Sequence, residues 1–126
     1  MIGTTRAVKA YAYAAPVDMR KGYDGLYALV KRDLGMNPIS GDLFLFVSRN
    51  RVRAKVLIWD GTGLCIYAKR LEKGRFACLW GASRSGRVDL TVAELCLFLD
   101  GCALAGRIPL SPAEYVAGGT RPVAFL

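Results

Sequence analysis

Arg49, Arg51, Arg53 and Lys55 stand at every second position, with Val52, Ala54 and Val56 set among them. Cations at that spacing suit one kind of chemistry, the neutralisation of phosphates along a polyanion. Successive side chains of an extended chain leave opposite faces. A period of two therefore predicts four cations on one face of a strand and small apolar groups on the other. The stretch from Arg49 to Arg87 holds ten of the chain's eighteen Lys and Arg but only two acids, Asp60 and Glu72, which equals the whole net charge of +8. A row of like charges repels itself, and an anionic guest relieves the repulsion. The alternative is a solvated sheet face whose long side chains splay outward.

Other reactive residue types form weaker patterns. Asp18 and Glu94 stand at helix starts, Asp60 at a turn and Glu72 beside cations, so no spacing converges carboxylates for two-metal phosphoryl transfer. Histidine is absent, which deprives a Ser or Cys nucleophile of its usual base. The glycines follow neither a Walker nor a dinucleotide pattern. Cys65, Cys78, Cys96 and Cys102 include no Cys-x-x-Cys pair, so no metal site is expected. Reduced cysteines acting as small core residues fit the cytoplasm. Met1 to Ala10 lacks an apolar run of signal-peptide length, and no stretch nears the ~18 apolar residues of a membrane span. Neither an enzyme nor a cofactor is expected.

The elements that must position the cations follow from periodicity. A chain of 126 residues, 53% hydrophobic and 22% charged, is one domain with enough substance for a core. Its sequence pI near 9.6 favours an anionic partner: nucleic acid first, a membrane surface second, an acidic protein third. Val8 to Ala14 reads as a strand ended by Pro16. Asp18 caps a helix from about Lys21 to Leu34, with its apolar stripe at Tyr23, Leu26, Tyr27, Val30 and Leu34. Arg20 and Lys21 sit at the positive end of that helix, where cations are disfavoured. They form either a phosphate site beside free N–H groups or an exposed pair of little effect.

Leu43 to Val47 reads as a central strand. Arg51–Asp60 and Leu64–Leu71 read as a hairpin around a three-residue loop, Gly61-Thr62-Gly63, with Gly63 left-handed. That loop pairs Ile58 with Ile66 and Val56 with Ala68 on an apolar face. The other face then receives Trp59 with Cys65, Leu57 with Tyr67 and Lys55 with Lys69, and Arg51 comes near Lys73. Cations interleaved with the rings of Trp59 and Tyr67 suit phosphates together with base or sugar contact. Arg75 to Cys78 reads as a short strand, and Arg87 to Leu90 as extended chain. Thr91 and Glu94 form a capping box for a helix from Val92 to Gly101, with a stripe at Val92, Leu95, Cys96, Leu99 and Cys102. The expectation is an α+β domain over residues 1–103: an antiparallel sheet of about four to six strands with both helices packed on one face. An irregular tail, 104–126, follows.

Three strings add a resemblance: Asp18-Met19-Arg20-Lys21-Gly22 with Asp24-Gly25-Leu26; Trp59-Asp60-Gly61 with Gly63-Leu64-Cys65; and Lys69-Arg70-Leu71-Glu72 with Gly74-Arg75-Phe76. In order and spacing they resemble the TnpB-type accessory protein of the insertion-sequence-66 family of bacterial transposable elements. The likeness runs from about Val8 to Gly101, and the chain departs from the pattern beyond it. The resemblance implies a bacterial protein encoded beside a separate transposase and needed for transposition, with DNA at the element ends and that transposase as partners. Residues and resemblance together give a non-enzymatic DNA-binding factor. Arg49, Arg51, Arg53, Lys55, Lys69, Arg70, Lys73 and Arg75 contact phosphates, Trp59 and Tyr67 stack or pack, and Arg20 and Lys21 extend the site. The alternative is an adaptor that docks on the transposase without significant DNA binding.

Overall fold

Two apolar sets alternate along the strand segments. Ala10 and Ala12 belong to one set and Tyr11 and Tyr13 to the other; Leu45 and Val47 likewise oppose Phe44 and Phe46. Strands that are apolar on both faces need cover on both. The computed structural model, which describes residues 7–81 and 85–101, provides it. Five strands, β1 (Ala10–Tyr13), β2 (Leu43–Val47), β3 (Arg53–Trp59), β4 (Leu64–Arg70) and β5 (Arg87–Leu90), lie in the order β4-β3-β2-β1-β5. Helix α1 (Tyr23–Ala28) runs on into a π-helical stretch, Leu29–Asp33, and α2 (Val92–Leu99) closes the described part.

The chain adopts the expected α+β class, but its two helices cover opposite faces. Leu26 and Val30 of the first helical segment pack on Tyr11, Phe44, Phe46 and Leu57. Leu95 and Phe98 of α2 pack on the other side, with Ala10, Leu45, Val56, Val88 and Leu90. β1 and β2 are apolar at every position, so a single helical layer would leave either Tyr11, Tyr13, Phe44 and Phe46 or Leu43, Leu45 and Val47 in water. The sheet is mixed rather than antiparallel throughout. β1 and β2 run parallel, with Ala10 opposite Leu43, and the helical segment between them is their crossover. The other three adjacencies are antiparallel.

The β3–β4 hairpin differs from expectation by one residue. Ile58 faces Cys65, Leu57 faces Ile66, Val56 faces Tyr67 and Lys55 faces Ala68. The Asp60 N–H donates to the Gly63 carbonyl at 3.0 Å, which leaves Gly61-Thr62 as the tip. Gly61, not Gly63, has the positive φ, 106°. The cause is Asp60. Its Oδ1 accepts from the Thr62 N–H and the Gly63 N–H, each at 2.9 Å, and from the Thr62 hydroxyl at 3.1 Å. Those bonds hold the carboxyl down to about 2. A one-residue change of register exchanges the faces of every β4 side chain.

Local chemistry accounts for the remaining boundaries. The capping box of α2 is present: Thr91 Oγ1 accepts from the Glu94 N–H at 3.0 Å, and the Glu94 carboxylate accepts from the Thr91 N–H at 2.9 Å. Within α2 the inward residues are Leu95 and Phe98, whereas Cys96 and Val92 are exposed. Cys102 lies outside the described residues, as does the tail 104–126. Residues 75–78 form no strand. Phe76 instead drops into the core and stacks on Phe98 at 5.2 Å. Tyr23, expected in the buried stripe of the first helix, is 52% exposed.

Candidate nucleic-acid interface

The cations sort by what holds them. β3 begins at Arg53, so Arg49 and Arg51 belong to the β2–β3 turn and not to the strand. Ser48 and Asn50 build that turn. The Ser48 hydroxyl donates to Asn50 Oδ1 at 2.7 Å and accepts from the Arg53 N–H at 3.1 Å, while Asn50 Oδ1 also accepts from the Val52 N–H. Arg51 is forced to a φ of 59°, and its guanidinium donates inward to the Phe76 carbonyl at 3.1 Å. The Phe76 N–H in turn donates to the Arg51 carbonyl at 2.7 Å. Arg51 is therefore a tie between the turn and the loop that carries Phe76. Its expected place in a surface row is corrected. The signal was Ser48-x-Asn50, two turn formers at the spacing that breaks a strand.

Lys55 is a second tie. Its ammonium donates to the carbonyls of Met19 and Lys21, at 2.8 and 2.9 Å, and so fastens the loop that precedes α1 to the middle of β3. Asp18 does not cap that helix, whose N-cap is Gly22 with no side-chain bond. Asp18 folds the loop instead. Its Oδ1 accepts from the Arg20 N–H at 2.9 Å, and its carboxylate takes the Arg20 guanidinium on two nitrogens, the shorter contact being 2.7 Å. The Arg20 hydrogen bonds hold the Asp18 carboxyl down to about 2. Arg20 itself stays 92% exposed. The stem of Lys21 lies over Gly25, where an added Cβ would stand 3.0 Å from Lys21 Cβ.

These ties bring one group of cations together. An open groove of about 560 Å³ runs between the loop and the turn, lined by Val17, Asp18, Met19, Arg20, Ser48, Arg49, Asn50 and Arg53. Arg49 and Arg53 are exposed and make no side-chain bond among the described residues. Arg70 faces Arg53 across the β3–β4 ladder and pairs with Glu72 at 3.2 Å. The parity of the strands puts Arg53, Lys55 and Arg70 on the face that carries α1. The β3–β4 end of that face therefore collects Arg20, Lys21, Arg49, Arg53, Lys55 and Arg70 beside Asp18 and Glu72, while at its β1–β5 end Arg87 is paired with Asp89, and Asp33 accepts from the Tyr13 hydroxyl.

The other cations lie elsewhere. Lys69 faces Ala54 on the α2 side, not Lys55, so the expected Lys55–Lys69 opposition is absent. Its ammonium donates to the Leu99 carbonyl at 2.6 Å and stands 4.0 Å from Asp100, where it complements the negative end of α2. Lys73 and Arg75 are exposed in the loop beyond β4. Trp59 and Tyr67 are on opposite faces: Trp59 is half-buried on the α1 side near the hairpin tip, and Tyr67 is exposed on the α2 side. The single strip with both rings among its cations is thus replaced by a cationic α1 face and a separate tie under α2. The described residues hold no group of three or more Cys, Asp or Glu placed to bind a metal ion. No described helix is long and apolar enough to cross a membrane.

Fold and cationic face together define a small basic α+β protein whose surface charge is gathered by loop ties rather than by one strand. The chain belongs to the IS66 Orf2-like family, whose model matches residues 8–107. Two relatives from Sinorhizobium fredii (strain NBRC 101917 / NGR234), the uncharacterized proteins y4hO and y4jC, are each 34% identical over 101 residues. Those alignments cover 80% of this chain and 86% and 85% of the relatives. No solved structure matches.

Proposed function

We propose that this chain is a non-enzymatic accessory factor for transposition that holds element-end DNA on its α1 face and assists a separate transposase. The observation that carries the reading is the convergence of Arg20, Arg49 and Arg53 on one open groove, with Lys21, Lys55 and Arg70 on the same face. Arg49 and Arg53 have no partner to give up among the described residues. Arg20 can exchange the carboxylate of Asp18 for a phosphate of the same bidentate geometry. Lys55 and Arg51 shape the site, and Lys73 and Arg75 lengthen the cationic border beyond β4. Family membership agrees with a place in transposition. The test is a salt-titrated binding assay on element-end duplex. Four to five neutralised phosphates give a log–log slope of roughly −4, and a slope near zero removes the reading.

A second reading, an adaptor seated on the transposase with little DNA contact, is favoured by α2. Val92 and Leu97 expose large apolar side chains on its outer side, beside exposed Cys96. Co-purification with the transposase that survives nuclease treatment and is lost in Leu97→Asp supports it. Failure to co-purify removes it.

A further inference from the structure

β4 borders the sheet and pairs with β3 alone among the described residues. Two hydrogen bonds bracket the hairpin and fix which way its backbone groups point: Asp60 N–H to Gly63 carbonyl at 3.0 Å, and Leu71 N–H to Val52 carbonyl at 2.8 Å. Counting between them, Cys65, Tyr67 and Lys69 turn their N–H and carbonyl groups toward β3. Leu64, Ile66, Ala68 and Arg70 turn theirs outward. This border is seven residues long and contains no Pro, Gly or bulge. Proteins ordinarily blunt such an edge with short strands, proline or charges spread along it. Here the charges, Lys69 and Arg70, stand at one end only, and the midpoint is Tyr67, 55% exposed.

We propose that β4 pairs with β4 of a second copy of this chain, antiparallel, about a two-fold axis at Tyr67. The antiparallel register that uses the whole strand sets Leu64 against the partner's Arg70 and Ile66 against the partner's Ala68. About eight backbone hydrogen bonds then close the outward groups of both copies, following the antiparallel ladder. Tyr67 meets the partner's Tyr67 in a non-hydrogen-bonded pair, the closest cross-strand position for two side chains. Charge selects a copy of this chain as the occupant. Self-pairing in this sense places each cationic end beside the neutral Leu64-Cys65 end of the other chain and toward its Asp60. Parallel pairing would bring the two Lys69-Arg70 ends together. Two five-stranded sheets become one, and the cationic α1 faces of both copies lie on the same side of it.

The experiment is sedimentation equilibrium of the full chain, free of nucleic acid and in high salt, at tens of micromolar. The expected result is twice the mass of one chain. Ala68→Pro removes an outward N–H without touching the β3 ladder and gives a monomer with an unchanged circular dichroism spectrum. Tyr67→Lys, at an exposed position whose side chain bonds to none of the described residues, opposes two ammonium groups at the axis. It weakens the dimer at least tenfold at low salt, and part of the loss returns as salt rises. A monomeric wild-type chain overturns the proposal. If the Ile66 and Ala68 amides of that monomer are protected from exchange, a segment of the same chain occupies the edge instead. A dimer that survives both substitutions overturns it as well.

Discussion

Arg53 and Lys55 sit two positions apart on one strand face, yet among the described residues one makes no side-chain bond and the other is a clamp. Lys55→Met removes a charged donor from the part-buried carbonyl of Met19 and from that of Lys21, at a cost of about 1–3 kcal/mol. The melting temperature falls, and DNA affinity falls with it because the loop bearing Arg20 is released. Arg53→Ala leaves the melting temperature unchanged and lowers the magnitude of the salt slope by about one. Thermal melts and binding isotherms on the two variants check the contrast. Asp60 supplies a pH test. Its folded carboxyl lies at about 2 against an ordinary 3.8, because the Thr62 and Gly63 amides bond to the carboxylate. A carboxyl lowered by folding stabilises fully above the ordinary value and loses that contribution as pH falls through the folded one. The amide resonances of Thr62 and Gly63 are therefore expected to titrate near pH 2, with the hairpin tip intact at pH 4.

At the scale of elements, the hairpin tip decides on which face each β4 residue appears. Gly61 has a φ of 106°, a region that a Cβ makes costly, whereas Gly63 does not and has open space where a Cβ would stand. Gly61→Ala should cost about 1 kcal/mol by denaturant titration and Gly63→Ala clearly less. Equal costs would mean that Gly63 bears the turn. The same tip shows where sequence reading stops. β2, β5 and the capping box of α2 were legible because their signals are local: an apolar run, an extended run after a polar loop, and a Thr-x-x-Glu spacing. The register was not legible, because Gly61-Thr62-Gly63 allows either glycine to be left-handed and only the bonds of Asp60 choose between them. The faces of the helices were not legible either. β1 and β2 are apolar on both sides, and that demands two covers without saying which helix supplies which.

Across the whole molecule, the cations were legible as a group but not as a site. Their number and neighbourhood are written in the chain, whereas their partners depend on contacts between distant segments: Lys55 with Met19, Arg51 with Phe76, Lys69 with Leu99. Tertiary ties turn a regular alternation into one cationic face with structural lysines on either side of the sheet. The account predicts that DNA senses this face and not total charge. The most direct measurement compares salt-dependent affinity for element-end duplex in two double variants of equal charge, Arg49→Ala with Arg53→Ala and Lys73→Ala with Arg75→Ala. The first pair should lower the magnitude of the log–log slope by about two and weaken binding at every salt concentration, the second by clearly less. Equal losses from both pairs, or no loss from the groove pair, would contradict the assignment of DNA to the α1 face.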